Sequence, residues 1–263
     1  MQRLTNLWIL LLFFFAGCTP VDEGGNDQPV NPAAPGFRAE LSDPEAIALA
    51  DTVMEKLGGR KAWDDTRFIR WTFFGRRTLL WDKQEQRVRI DMDNDSTTFL
   101  IDLATKTGQA RVKGEVVTDE GKLDTLMQQA ESIWINDSYW LVMPYKLKDS
   151  GVALKYMGKD TTSEGSMADV LQLTFEGVGV TPQNKYLVYV DQKDRLIHEW
   201  AYFPTADAEE PRMRTPWKGY RPYNGILLSG DRGRGQLTDI AVYEEVPDAA
   251  FLELDQPDMS GFQ

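Results

Sequence analysis

Four aspartates in the stretch DMDNDSTTFLID have the spacing of a calcium-binding loop. Asp91, Asp93 and Asp95 alternate and Asp102 closes a twelve-residue window, as the ligands of an EF-hand do. An EF-hand also needs glycine at its sixth position, glutamate at its twelfth and a helix on each side. Here the sixth residue is Ser96, and the flanking segments VRIDM and FLIDL alternate in polarity like strands. The stretch therefore predicts a solvated β-hairpin turn and not a calcium site.

Other residue types that support catalysis occur without the partners they need. The single histidine, His198, lies in the strand-like segment LIHEWAYF, and no G-x-S-x-G motif supplies a serine nucleophile. Asp149-Ser150-Gly151 matches the core of an aspartic protease motif, but it occurs once, and that chemistry needs two aspartates. The segment GDRGRG, residues 230–235, has the wrong spacing for a dinucleotide-binding loop. We predict turns at both motifs, a structural role for His198, and no enzyme activity, metal site or cofactor.

Two aromatic segments are better candidates for binding. Residues 134–145, WINDSYWLVMPY, either pack beneath a sheet or form the wall of an apolar cavity. Residues 211–225, PRMRTPWKGYRPYNG, place four cations among Trp217, Tyr220 and Tyr223; these are Arg212, Arg214, Lys218 and Arg221. The second segment fits either an anionic headgroup or acidic partner, or ordinary strands with solvated basic edges. The sequence leaves both alternatives open.

Two amphipathic helices position these segments. Ser42-Asp43-Pro44-Glu45 has the pattern of a capping box with Ser42 as the N-cap residue. Apolar residues then recur at helical spacing until Gly58-Gly59 ends the run. A second apolar stripe, from residue 123 to residue 134, predicts a helix that ends near Asn136-Asp137.

Most of the remaining sequence alternates between apolar and polar residues. Segments such as IRWTF, VLQLTF and YLVYV are separated by clusters of Asp, Gly, Asn and Lys, which is typical of antiparallel strands joined by hairpins. We predict a mainly β (α+β) domain over residues 41–263, with about eleven strands in a long meander and two main helices.

The first residues have the features of an export signal. Arg3 precedes an apolar run over residues 7–15 that is too short to span a membrane. Phe15-Ala16-Gly17-Cys18 then resembles a bacterial lipobox, in which the cysteine is diacylated. We predict a lipoprotein signal peptide over residues 1–17, a lipidated Cys18, and a flexible tether over residues 18–40 that is rich in proline and glycine. An ordinary signal peptide with an incidental cysteine is the alternative.

Composition limits the partners. The chain has 41 acidic and 29 basic residues and a net charge of −12, so a phosphate backbone repels it, and nucleic acid is excluded as a partner. Cys18 is the single cysteine, so its lipidation excludes disulfides and cysteine-ligated zinc in the folded body. We expect the diacylglyceryl and acyl anchor to hold the protein in the bacterial cell envelope, at the outer membrane, on its periplasmic face or at the cell surface.

Three segments resemble a known family. They are LADTVMEKLGGRKAWDD, WINDSYWLVMPYKLKDSGVALKY and YLVYVDQKDRLIHEWAYF, which are similar to uncharacterised bacterial lipoproteins of the outer-membrane lipoprotein-sorting type with the fold of LolA and LolB. The resemblance extends from about Ala46 to Val246 and implies a curved, half-open antiparallel barrel whose concave face is covered by helices. In characterised members that face binds lipoprotein acyl chains. The predicted anchor implies a receptor or sensor and not a diffusing carrier.

The resemblance implies that a hydrophobic or lipidic ligand, an acyl chain or a lipoprotein, binds inside the half-barrel. We predict that large apolar side chains on inward faces contact it: Trp71, Phe73, Trp81, Trp134, Trp140 and Met143. The alternative is a non-enzymatic interaction or assembly protein, whose barrel is filled by its own side chains and whose surface docks an envelope partner. An empty concave face would favour the first function, and a packed face the second.

Overall fold

Two antiparallel sheets and a separate hairpin form the framework of the described part of the protein. The computed structural model describes residues 31–177, 183–256 and 258–259. The predicted signal peptide, Cys18 and the first part of the tether lie outside these residues. Within the described ranges, no helix combines the length and the apolar character that a membrane crossing requires.

The described part of the chain contains four α-helices and fourteen strands. The helices are α1 Pro44–Lys56, α2 Gly59–Asp65, α3 Glu120–Val142 and α4 Ala249–Leu252. The strands are β1 Phe68–Phe73, β2 Arg77–Asp82, β3 Arg87–Met92, β4 Thr97–Asp102, β5 Thr107–Val112, β6 Glu115–Val116, β7 Val152–Thr161, β8 Met167–Phe175, β9 Lys185–Asp191, β10 Ile197–Phe203, β11 Met213–Pro216, β12 Lys218–Tyr223, β13 Ile226–Asp231 and β14 Leu237–Tyr243. About eleven strands were expected; strands as short as β6 and β11 have too few residues to produce a recognisable alternation.

The strand order confirms the predicted fold class. The first sheet has the order β14-β1-β2-β3-β4-β5-β6 and the second the order β11-β10-β9-β8-β7, while β12 and β13 pair only with each other. Among the described strands, neither sheet closes on itself or joins the other. The architecture is therefore an open, mainly antiparallel half-barrel with helices against it.

The acidic stretch is the hairpin turn that the sequence predicts. Met92 at the end of β3 pairs with Thr97 at the start of β4, and Ser96 between them has a φ of 54°. The Asp91 carboxylate accepts hydrogen bonds from Arg89 and from the Thr98 hydroxyl. These bonds explain the position of Asp91 without a metal ion.

One apolar core joins the inner faces of both sheets to helices α1 and α3. Trp71 and Phe73 point into this core, as the alternation predicts, and Trp81 packs against it. Trp71 and Met143 are both 0% exposed, so protein atoms surround them completely. At these positions the half-barrel is filled by its own side chains.

The start of helix α1 differs from the predicted capping box. Asp43, and not Ser42, is the N-cap residue, and its side chain makes no capping hydrogen bond. Instead the Ser42 hydroxyl donates to the carbonyl of Arg38 and accepts from the amide of Leu154. The Asp43 carboxylate accepts from the amide of Tyr156 at 3.0 Å. Both side chains therefore attach the helix to strand β7, which a local sequence pattern cannot indicate.

Helix α3 continues beyond the predicted end at Asn136-Asp137, as far as Val142. The polar pair does not mark a helix end, because the Asp137 side chain is 0% exposed and is held by Arg77 through two hydrogen bonds of 2.5 and 2.7 Å. Asn136 adds a third bond to the same carboxylate. Because Arg77 pairs with the buried carboxylate, α3 can continue over the sheet past Asp137. Most of the aromatic segment 134–145 is therefore helical.

The last part of the predicted tether is packed against the body. The amide of Ala34 donates to the carbonyl of Lys148, and the amide of Arg38 to that of Val152. Asn31 is 4% exposed and accepts a hydrogen bond from the amide of Arg60. The expected boundary at residue 40 is therefore too late. These hydrogen bonds, together with Phe37, which packs against the core, hold the segment on the body.

Candidate functional site

A cleft of about 900 Å³ lies between the two sheets. One side is strand β11 and the other is the turn between β1 and β2 together with the start of β14. The loop between β13 and β14 and one residue of helix α3 complete it. The lining residues are 74–76, 213–216 and 232–236, with Trp140 and Thr238. Its volume is within the range of small-molecule sites in proteins.

Phe74 forms an apolar wall of the cleft. Its ring lies 4.3 Å from that of Phe73 and 5.4 Å from that of Trp140. A Cβ atom on Gly235 would approach the Phe74 ring to 2.7 Å, so the glycine lets the ring lie against the loop. Phe74 and Gly75 have φ values of 50° and 61°, the left-handed conformations of a tight hairpin turn, which the hydrogen bond from the Arg76 amide to the Phe73 carbonyl closes.

Behind Trp140 and Arg232, which line the cleft, two buried tryptophans support them. The ring of Trp140 contacts that of Trp200 at 4.9 Å, and Trp200 contacts Trp217 at 5.3 Å, both edge to face. The Arg232 guanidinium lies 3.5 Å from the centre of the Trp217 ring. It donates back to the carbonyl of Trp140 at 2.8 Å. The four residues thus contact one another in a closed ring, which holds the Trp140 side chain in place at the cleft.

Arg232 is a buried cation without an ion pair in the described part of the chain. The residue is 3% exposed. Its guanidinium donates to the Trp140 carbonyl, to the hydroxyl and carbonyl of Ser229 and to the carbonyl of Asp231. All its N–H groups are therefore used by neutral acceptors. Burial lowers the pKa of Arg232 to about 9, and the nearby Asp231 carboxylate opposes this effect.

Two further arginines at the cleft are exposed. Arg76 and Arg234 have no carboxylate within 4.0 Å among the residues that the structure describes. Their neighbours differ: Arg77 is paired with Asp137, and Arg214 with a Glu199 oxygen at 3.0 Å. The lining contains no aspartate or glutamate. The cleft is therefore a positively charged place on an acidic protein.

The six predicted cavity residues are not brought together in one site. Trp140 lines the cleft, and Phe73 lies behind its wall through contact with Phe74. Trp81 and Trp134 pack on each other at 5.4 Å elsewhere in the core. Trp71 and Met143 are enclosed. As contacts to a ligand, these residues remain predictions.

The basic segment 211–225 forms two strands with opposite faces. Trp217 is 0% exposed, and the Tyr220 hydroxyl donates to the carbonyl of Ile197 at 3.0 Å. The cations face outward, and Lys218 pairs with Glu164. This arrangement matches strands with solvated basic edges, although residues 213–216 also line the cleft.

Sequence reasoning missed Phe74, Arg76, Arg232 and Arg234. The GDRGRG segment was interpreted as a turn, and the structure confirms a turn closed by a bridge between Asp231 and Gln236. Its two arginines carried no further prediction. The signal available was a pair of turns, FFGRR and DRGRG, that concentrate arginine in a chain with excess acid.

The other motifs have structural roles. His198 is partly buried on β10, and its Nε2 lies 2.8 Å from a carboxylate oxygen of Asp194. Asp149 pairs with Lys146 in the turn before β7. Within the residues that the structure describes, no group of three His, Cys, Asp or Glu side chains could hold a metal ion.

Several solved structures are similar to this chain over most of its length. A LolA-superfamily protein from Nitrosomonas europaea is 12% identical, with a TM-score of 0.38 over 78% of this chain and 97% of its own. A putative outer-membrane lipoprotein-sorting protein domain from Vibrio parahaemolyticus is 8% identical, with a TM-score of 0.37 over 77% and 97%. A DUF1329 family protein from Desulfovibrio piger is 12% identical, with a TM-score of 0.43 over 84% of this chain and 100% of its own.

These similarities agree with the LolA-like resemblance in the sequence. No protein-family model matches the chain, and no curated protein does either. At such identities and TM-scores the similarity concerns the fold, so the chain's own cleft has to supply the case for a ligand.

Proposed function

We propose that this chain is a non-enzymatic lipoprotein of the cell envelope, anchored through Cys18, that binds an acyl chain of a lipid or lipoprotein in the cleft between its sheets. The observation that carries the proposal is the cleft itself. It has the volume for such a ligand, and Phe74 and Trp140 give it an apolar wall and floor. Burying an acyl chain there would be favourable by about 0.8 kcal/mol per methylene.

The proposal moves the ligand from the interior of the half-barrel to its edge. The interior is occupied by side chains such as Trp71 and Met143, whereas the cleft opens between two sheet edges. This packing also favours the alternative function, in which a filled barrel docks an envelope protein. A binding measurement separates the two functions.

Native mass spectrometry of residues 19–263, which include every residue the structure describes, tests the proposal. After incubation with monoacyl phospholipid or a lipopeptide, we expect a bound mass equal to that of the ligand. Trp140→Ala should remove this mass, because the side chain leaves the cleft while the backbone carbonyl still holds Arg232.

Trp134→Ala is the matched control. Trp134 lies on the same helix and packs on Trp81, away from the cleft, so this variant should retain the ligand. Loss of ligand in Trp134→Ala with retention in Trp140→Ala would place the ligand in the interior instead. An unliganded mass under all conditions would refute lipid binding and favour the docking function.

The anchor needs a separate test. Cells that express the full chain and take up labelled palmitate should yield a labelled protein in the membrane fraction. Cys18→Ser should remove the label and release the protein from that fraction. A labelled Cys18→Ser variant, or unlabelled wild-type protein, would refute lipidation at this residue.

A further inference from the structure

The charges around the cleft indicate which lipids it accepts. We propose that the cleft selects anionic single-chain amphiphiles, whose oxyanion headgroup lies between Arg76 and Arg234 while the acyl chain lies against Phe74 and Trp140. This inference rests on the function proposed above and specifies the class of ligand. The headgroup chemistry is that of an oxyanion, supplied either by a phosphate monoester or by a carboxylate.

Two of the arginines at or next to the cleft already have an anionic partner. Arg77 is bound by the buried carboxylate of Asp137, and Arg214 by that of Glu199. Arg76 and Arg234 are exposed and free of ion pairs within the described part of the molecule. They can each donate to an oxyanion in the fork geometry that favours guanidinium over other cations.

Arg232 contributes in a different way, through its charge alone. Its N–H groups are all held by carbonyl and hydroxyl oxygens of Trp140, Ser229 and Asp231, so it has none to donate to a ligand. Among the described residues Arg232 has no ion-pair partner, and the nearby Asp231 carboxylate offsets only part of the effect of burial on its pKa, so part of its positive field remains. The field extends into the cleft, whose lining has no acidic residue. An anion between Arg76 and Arg234 would complete the charge balance.

The net charge of the protein strengthens this interpretation. The chain has 41 acidic and 29 basic residues, yet the lining of the cleft contains four arginines and no aspartate or glutamate. The apolar wall next to them separates the site from a simple phosphate-binding patch. Headgroup and chain therefore have distinct places, which matches an amphiphile in shape and polarity.

A titration with three probes that share one acyl chain tests the inference. The probes are lauroyl lysophosphatidic acid, lauric acid and monolauroylglycerol, each below its micellar concentration, with residues 19–263 and tryptophan fluorescence or calorimetry as the readout. We expect the phosphate or the carboxylate probe, or both, to bind at least about tenfold more tightly than the neutral glyceride. Whichever anionic probe is favoured identifies the source of the oxyanion.

Variants then assign the preference to residues. Arg76→Gln and Arg234→Gln should each weaken anionic binding by about three- to tenfold and leave the neutral glyceride unchanged. Arg221→Gln removes the same charge from an exposed strand residue that does not line the cleft. This variant should change the affinity for neither the anionic probes nor the neutral glyceride. Raising the salt concentration should weaken the anionic probes selectively.

The outcomes separate this inference from the proposed function. Equal affinity for all three probes, or equal losses in Arg221→Gln and the cleft variants, would overturn anion selection and leave lipid binding standing. Absence of binding by every probe would overturn both. Both cleft arginines are exposed and make no ion pair, so misfolding of the variants does not confuse the result.

Discussion

The ion pair between Arg77 and Asp137 allows a sharp test of how helix α3 is held over the sheet. The Asp137 side chain is 0% exposed and that of Arg77 17% exposed, and the two form paired hydrogen bonds of 2.5 and 2.7 Å. Arg77→Ala would leave a buried carboxylate with only the Asn136 amide beside it. Removing one partner of such a pair costs about 3 kcal/mol, so we expect Tm to fall by about 6–12 °C.

The pH dependence of this loss has a definite sign. Burial raises the pKa of Asp137 above its usual 3.8, and hydrogen bonds from Arg77 oppose that rise. In Arg77→Ala these hydrogen bonds are lost, so the pKa of Asp137 rises further. A carboxyl group with a higher pKa in the folded state binds more protons there, and stability therefore falls as pH rises from the unfolded pKa through the folded pKa. The variant should lose more stability at about pH 7.5 than at about pH 4.5.

Urea unfolding of both proteins at the two pH values measures this difference. Lys61→Ala is the control, since Lys61 and Asp65 form an exposed pair one helical turn apart, which is worth about 0.3–0.5 kcal/mol. Arg77→Met combined with Asp137→Leu should recover most of the loss by removing both charges. A loss below about 1 kcal/mol in Arg77→Ala, or one independent of pH, would refute the reasoning.

Two further predictions concern other contacts. Gly58 has a φ of 115°, and a Cβ there would lie 2.1 Å from the carbonyl oxygen of Gly225. Gly58→Ala should therefore lower the free energy of unfolding in urea by about 3 kcal/mol. Gly59→Ala should lower it by about 1 kcal/mol, because Gly59 has a φ of 87° but no atom lies within 4 Å of its Cβ. Equal losses would exclude the clash. Burial lowers the pKa of Lys83 to about 7. Between about pH 7 and the ordinary lysine pKa, the unfolded state therefore binds more protons than the folded state. The stability of the wild-type protein should rise with pH in this range relative to that of Lys83→Met. Parallel stability curves for the two proteins would contradict that pKa.

The predictions from the sequence were correct where residues close together in the chain determine the structure. The alternation of Trp71 and Phe73 predicted their inward direction, and turn residues predicted the hairpin between β3 and β4, because these features depend on neighbours in the chain. Predictions failed where a distant residue intervenes. Asn136-Asp137 suggested a helix end, yet Arg77, 60 positions away, neutralises the buried carboxylate.

The cleft could not be predicted for the same reason. Its lining comes from segments around residues 75, 140, 215 and 234, which only the packing of two sheets brings together. Trp140 was among the predicted contacts because it is large and apolar. The arginines of the two turns were missed, because charged residues in glycine-rich turns usually only interact with solvent.

The seam between the two sheets sets how tolerant the cleft is of ligand size. Hydrogen-bonded strands are held about 4.8 Å apart, but β14 and β11 are edge strands of separate sheets, so no backbone ladder fixes the distance between the walls. Widening the cleft would disturb side-chain contacts and leave both sheets intact. The thickness of a bound chain is therefore weakly controlled, while Arg76 in the turn between β1 and β2 and Arg234 in the loop between β13 and β14 still favour a negative charge. A cleft that binds amphiphiles as proposed would accept acyl chains of varied thickness, branched ones included, and would select among them by headgroup.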